Sequence, residues 1–201
     1  MALRIYSLVL LLCGLFSSAC SKPFPGGDEI ILLGLLGKTR YLFVTTSTNT
    51  GALGGVSGAD LICQNAKAAE VPSLPGSALE YVALIAASSR VPGGAGWPLL
   101  PNTNYYAMDP GETLIFHTNS SGIPVDPMNS ATGIPGSGDY WTGVSMTFGV
   151  GDTCLNWGNG TGGEFGEYGS PGDPSAVSPG GFNQSFSDGC DLLKSLLCVR
   201  N

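Results

Sequence analysis

Apolar residues fall into short runs of recognisable period along this chain. Arg40 to Thr48, Arg-Tyr-Leu-Phe-Val-Thr-Thr-Ser-Thr, is dense in β-branched and aromatic residues and predicts a first strand, followed by a Gly-rich turn from Gly51 to Gly55. Ser57-Gly-Ala-Asp60 has the spacing of a capping box. Ala59, Ile62, Cys63, Ala66 and Ala69 then recur at helical intervals, which predicts an amphipathic helix with Cys63 turned into the core. Glu80 to Ala87 is mostly apolar and reads as a buried strand, with helix left open by its alanines. From Pro92 to Gly138 turn residues dominate, interrupted by strand-like pieces at Tyr105 to Ala107 and Thr113 to His117. Tyr140 to Phe148 is the clearest later strand, and residues 158 to 189 read as one long loop of Gly, Pro, Ser, Asn and acids. Loops of that length without regular structure usually carry function or move. Leu196 to Arg200 reads as the last strand.

The first twenty residues differ from the rest. Arg4, an apolar run from Ile5 to Phe16 and the small residues Ser17-Ser18-Ala19 stand in the order of a secretory signal. The apolar run falls well short of the roughly 20 residues a spanning helix needs. Cys20 directly after the small residues favours cleavage before it and acylation of its thiol over an ordinary peptidase reading Ser17-x-Ala19. Ser17 stands where the usual lipobox has Leu, a looser pattern that resembles those of spirochaetes. With Ser21 next, no Asp argues for inner-membrane retention, so the expectation is an outer-membrane, lipid-anchored protein exposed at the cell surface, with a secreted or periplasmic protein as the alternative. Residues 1–19 are then the signal, 20–38 a lipidated tether and 39–201 the domain.

Composition narrows the class. Only 11% of the residues are charged, and the 31 Gly and 14 Pro recur without period, as expected of a loop-rich globular domain and of neither collagen nor a solvated disordered chain. Between Arg90 and Lys194 there is no Lys or Arg, while Asp109, Glu112, Asp126, Asp139, Asp152, Glu164, Glu167, Asp173, Asp188 and Asp191 all fall there. Nucleic acid and other polyanions need clustered cations, so a partner of this half is neutral, basic or bridged by a metal ion. The plainer reading is a surface that stays soluble.

Candidate chemistry is sparse. His117 is the single histidine, no Gly-x-Ser-x-Gly elbow occurs, and Gly158-Asn-Gly-Thr-Gly-Gly163 lacks the Lys-Ser/Thr and helix start of a phosphate loop. The expectation is a non-catalytic protein. Glu164, Glu167, Asp173 and Asp188 are the residues on which a secreted hydrolase would rest. With Asn156 and Asn159 they are also candidate hard-oxygen ligands for calcium, the one cofactor considered, against the alternative of a solvated acidic loop. Cys63, Cys154, Cys190 and Cys198 remain after the signal and Cys20, an even number that implies two disulfides outside the cytoplasm. Three pairings are open. The nested one, Cys63 with Cys198 and Cys154 with Cys190, is preferred, worth about 5 and about 4 kcal/mol in the chain-entropy picture.

Gly54-Gly-Val-Ser-Gly-Ala-Asp-Leu-Ile-Cys63, Trp141-Thr-Gly143, Cys154-Leu-Asn-Trp157 and the closing Cys198-Val199 together resemble the endostatin-like lipoproteins of leptospires, a family with a domain of unknown function. The match runs over about residues 40 to 201. It implies an α+β, C-type-lectin-like fold with first-to-last and second-to-third disulfides, in agreement with the nested pairing. It also implies binding of host extracellular-matrix proteins such as laminin and fibronectin, or of complement regulators. The cationic surface by which endostatin holds heparin has no counterpart between Arg90 and Lys194, and the Glu-Pro-Asn and Trp-Asn-Asp motifs of sugar-binding lectins are absent. Heparin is therefore not an expected partner, and a calcium-dependent lectin stands as the alternative function. Trp141, Gly143 and Trp157 are read as structural, the two indoles as core aromatics.

Overall fold

A computed structural model describes residues 39–107, 112–125, 138–170 and 186–201, all within the compact unit Lys38–Asn201. The expected signal, Cys20 and the tether lie outside the described residues, as does Asp173. Among the described residues no helix is long and apolar enough to cross a membrane.

The architecture is α+β, mostly strands with little helix. Among the described residues nine strands run in chain order: β1 (Thr39–Val44), β2 (Tyr81–Ala83), β3 (Asn104–Ala107), β4 (Thr113–Thr118), β5 (Pro124–Val125), β6 (Tyr140–Trp141), β7 (Phe165–Gly169), β8 (Ser187–Gly189) and β9 (Ser195–Arg200). They form one sheet in the order β5-β4-β3-β1-β9-β6-β7-β8, with β2 also paired to β9. The sheet is centred on β9, which takes β1 antiparallel along one edge and, along the other, β2 antiparallel and β6 parallel.

A central strand packed on both faces reads as a near-continuous apolar run, and Leu196 to Val199, with Ser195 before them, are all buried. Alternation sorts them: Leu196 and Cys198 join Phe43, Tyr81, Ala83 and the helix residues Ala59 and Cys63 in one core. Leu197 and Val199 join Leu42, Tyr105, Phe116 and Tyr140 in the other. The helix, α1 (Gly55–Ala69), covers the first face. Both disulfides are nested, Cys63–Cys198 tying α1 to β9 and Cys154–Cys190 closing a separation of 36 residues.

Several boundaries differ from the sequence reading. The first strand ends at Val44 because the Thr45 hydroxyl donates to the Ser47 carbonyl and accepts from the Leu196 amide, bending the chain. Ser57 and Asp60 form no capping box: α1 starts earlier, with Gly54 as N-cap at φ 80° and no side-chain cap, and Ala69 is exposed. Asp60 instead takes both guanidinium nitrogens of Arg90 at 2.8 Å and the Ala83 amide at 3.0 Å. The expected buried strand Glu80 to Ala87 is a mostly buried extended segment from Tyr81 to Ala87, strand over Tyr81–Ala83, with Glu80 instead in the preceding 3₁₀ turn, Ala78–Glu80. The expected strand Tyr140 to Phe148 is strand for two residues only. Gly143 then turns at φ 60°, and Ser145 and Gly149 close a hairpin. The long loop from 158 to 189 contains an antiparallel pair, β7 with β8.

Candidate functional site

Around the Cys154–Cys190 disulfide the chain takes its least ordinary backbone. Cys154, Leu155, Asn156 and Trp157 all have positive φ, between 49° and 66°, a single left-handed turn built without glycine. Each such residue costs about 1–2 kcal/mol, so neighbours must hold it. The Trp157 amide donates to the Thr153 carbonyl and the Asn159 amide to the Cys154 carbonyl. Asn156 Oδ1 accepts from the Ser88 amide at 2.8 Å, and the fully buried Trp157 donates Nε1–H to the Ala86 carbonyl at 2.8 Å. Cys154 is bonded to Cys190. The turn is thus pinned to the β2 extension, to itself and to the start of the segment leading into β9.

Glycines make room for this packing. A Cβ at Gly51 would overlap the Cys154 sulfur, and one at Gly166 would lie 2.6 Å from that sulfur and 2.9 Å from the Trp141 ring. One at Gly143 would meet the Ala86 carbonyl and the Trp157 ring, each at 2.8 Å, which accounts for Trp-Thr-Gly. Trp141 is fully buried, donates Nε1–H to the Asn49 carbonyl and lies 5.9 Å from the Trp157 ring.

The acids expected to share a site are spread over both sides of the β7–β8 ribbon. Gly166 pairs with Asp188 and Glu167 with Ser187, so Asp188 and Glu167 project to opposite faces. Asp188 is engaged by Lys194, whose nearly buried Nζ lies 2.7 Å from Asp188 Oδ2 and 3.4 Å from Asp139 Oδ2. The same ammonium sits 3.7 Å over the Tyr168 ring centroid and 5.4 Å from that of Trp141. Glu167 packs beneath Gly151, and its Oε2 finds no hydrogen-bond partner among the described residues. Burial, and then the charge of Asp152, push its carboxyl up to about 7. Glu164 contributes its carbonyl to the Cys190 amide, and Asn159 Oδ1 accepts from the Thr161 amide.

Among the described residues no three of His, Cys, Asp or Glu gather as metal ligands would. His117 lies on β4, with four strands between it and β7, so the histidine and these acids are not brought together. What this end of the sheet presents instead is a rigid surface. Leu155, Phe165, Leu192 and Leu193 are all exposed on segments that the disulfide and the β7–β8 pairing tie together. The sequence reading missed those apolar residues, because exposure leaves no mark in a short irregular segment. It also missed the Lys194 cage, for which the isolated lysine in Leu-Leu-Lys-Ser-Leu-Leu was the available signal.

A rigid, two-disulfide α+β domain with an irregular, exposed loop end defines the class. The chain belongs to the family described as "protein of unknown function (DUF1554)", which matches residues 46–172. No curated protein matches the chain.

Proposed function

We propose that this chain is an exported surface lipoprotein, anchored through Cys20 in the outer membrane, whose C-type-lectin-like domain binds host proteins of the extracellular matrix or complement regulators without catalysing a reaction. The observation that carries this reading is the disulfide-tied end. A left-handed turn is held at a cost of several kcal/mol, while Leu155, Phe165, Leu192 and Leu193 stand in solvent beside it. Exposed apolar side chains on disulfide-tied segments favour association with another surface, and a few such anchors suffice for protein binding. Two disulfides suit a compartment outside the cytoplasm.

The test is binding of the full chain, disulfides intact, to immobilised laminin, fibronectin and complement regulators, with and without reductant and with and without chelator. Saturable binding that is lost on reduction and indifferent to chelator is expected. Absence of binding to every one of these proteins would overturn the reading.

A further inference from the structure

The backbone segments that carry the exposed apolar residues and several acids of this end meet at one junction. Phe165 is the Cα partner of Gly189, the Leu192 amide donates to the Gly189 carbonyl and the Cys190 amide to that of Glu164. The Cα atoms of Cys154 and Cys190 are 5.7 Å apart, which brings Leu155 to the same place. Leu155, Phe165, Leu192 and Leu193 are 62, 52, 46 and 65% exposed. Gly162 and Gly189 abut the Asp191 carboxylate, so that acid belongs to the junction, with Glu164 beside Phe165 and Asp152 two residues before Cys154.

The nearest cation does not neutralise this surface. Lys194 is nearly buried and committed to Asp139 and Asp188, while Asp152, Glu164 and Asp191 take part in no ion pair among the described residues. Elsewhere Arg90 is turned inward to Asp60 and Arg200 to Glu80. Exposed apolar side chains on segments that also carry unpaired carboxylates disfavour anionic lipid headgroups and polyanions and favour chains that alternate cationic and apolar side chains.

We infer that the Leu155–Phe165–Leu192–Leu193 surface docks a cationic, amphipathic polypeptide segment of its partner. This deepens the adhesin reading and rests on it for the partner's being a protein.

The experiment titrates the full chain into fluorescent peptides by anisotropy: one alternating Lys and Leu, one alternating Glu and Leu, one alternating Lys and Gly. Phosphatidylglycerol vesicles form a parallel arm. The Lys/Leu peptide should bind saturably, and the other two at least about tenfold more weakly. Phe165→Ser with Leu193→Ser should cost a similar factor with circular dichroism unchanged. Glu164→Gln with Asp191→Asn should lower the salt dependence of binding. Equal affinity for the Glu/Leu peptide, or affinity unmoved by the serine pair, would overturn the inference. So would vesicle binding that the serine pair abolishes, which would make the occupant a lipid surface. Matrix-protein binding that survives the serine pair removes this surface and leaves the adhesin reading standing. Peptide binding here with no matrix or complement protein bound does the reverse.

Discussion

Replacing Asp60 by Ala removes the polar contact that, beside the Cys63–Cys198 disulfide, fastens α1 to the sheet. Its carboxylate takes two bonds from Arg90 and one from the Ala83 amide, while Arg90 also donates to the Ala83 carbonyl. The partner side chains are 10 and 18% exposed, so the pair is largely desolvated. After the substitution Arg90 keeps one carbonyl for a buried charge, its Nε being already without a partner, and the Ala83 amide loses its acceptor. Removing one member of a buried pair costs roughly 3–5 kcal/mol. With some water still reaching Asp60, we take about 3 kcal/mol, a large share of a typical 5–15 kcal/mol. At a urea slope of about 2 kcal/mol/M the midpoint should fall by about 1.5 M. Urea unfolding of the oxidised protein, followed by tryptophan fluorescence, measures this directly. Arg90→Met should cost less, because the Asp60 carboxylate it leaves behind is the more exposed partner and keeps the Ala83 amide, and the double variant Asp60→Ala/Arg90→Met should recover about 2 kcal/mol relative to the sum. A midpoint shift under about 0.3 M, or additive single effects, would refute the assignment of this pair as the clamp between helix and sheet.

Other outcomes follow from the same contacts. Glu167 keeps its proton in the folded state up to about pH 7 and releases it near the usual 4.5 when unfolded. Stability should therefore fall as pH rises through that window and level off above it, and Glu167→Gln should flatten the decline in melting temperature. Gly51→Ala should destabilise by more than about 2 kcal/mol and slow closure of the Cys154–Cys190 bond, read by thiol titration during refolding, since the new methyl overlaps the sulfur. Trp157→Phe should cost about 1–3 kcal/mol through the orphaned Ala86 carbonyl, seen as a lower thermal midpoint with the Cys63–Cys198 bond intact.

How much of this was legible in the sequence depended on range. The β-branched and aromatic run of β1 and the apolar run Leu196 to Val199 of β9 reflect local burial and were readable. So was the helix face carrying Cys63, because Ala59, Cys63 and Ala66 are buried at helical intervals, though Ala69 is exposed. The helix start was misread because Ser57-x-x-Asp60 carries the spacing of a cap, whereas Asp60 is recruited by an arginine 30 residues away. Tyr140 to Phe148 carries strand-forming residues throughout, yet Gly143 has room for no side chain and turns the chain against Trp157. β7 was hidden by Gly166, whose absent side chain accommodates Trp141 and the Cys154 sulfur, and β8 by Gly189, which abuts the Asp191 carboxylate. The acidic candidates shared a stretch of sequence but not a face of the sheet: strand alternation separates Glu167 from Asp188, and Lys194 takes the latter. The left-handed turn left no local signal, since none of its four residues is one that favours positive φ except Asn156.

The central claim is that this protein binds others through the end of the sheet that Cys154–Cys190 secures. Surface plasmon resonance of the full chain and of the Cys154→Ser/Cys190→Ser variant over laminin and fibronectin tests it most directly, with circular dichroism showing that the variant, expected to lose about 4 kcal/mol, stays folded. Saturable binding by the native chain and its loss in the folded variant is the predicted result. Equal binding by both, or none by the native chain, would contradict the claim.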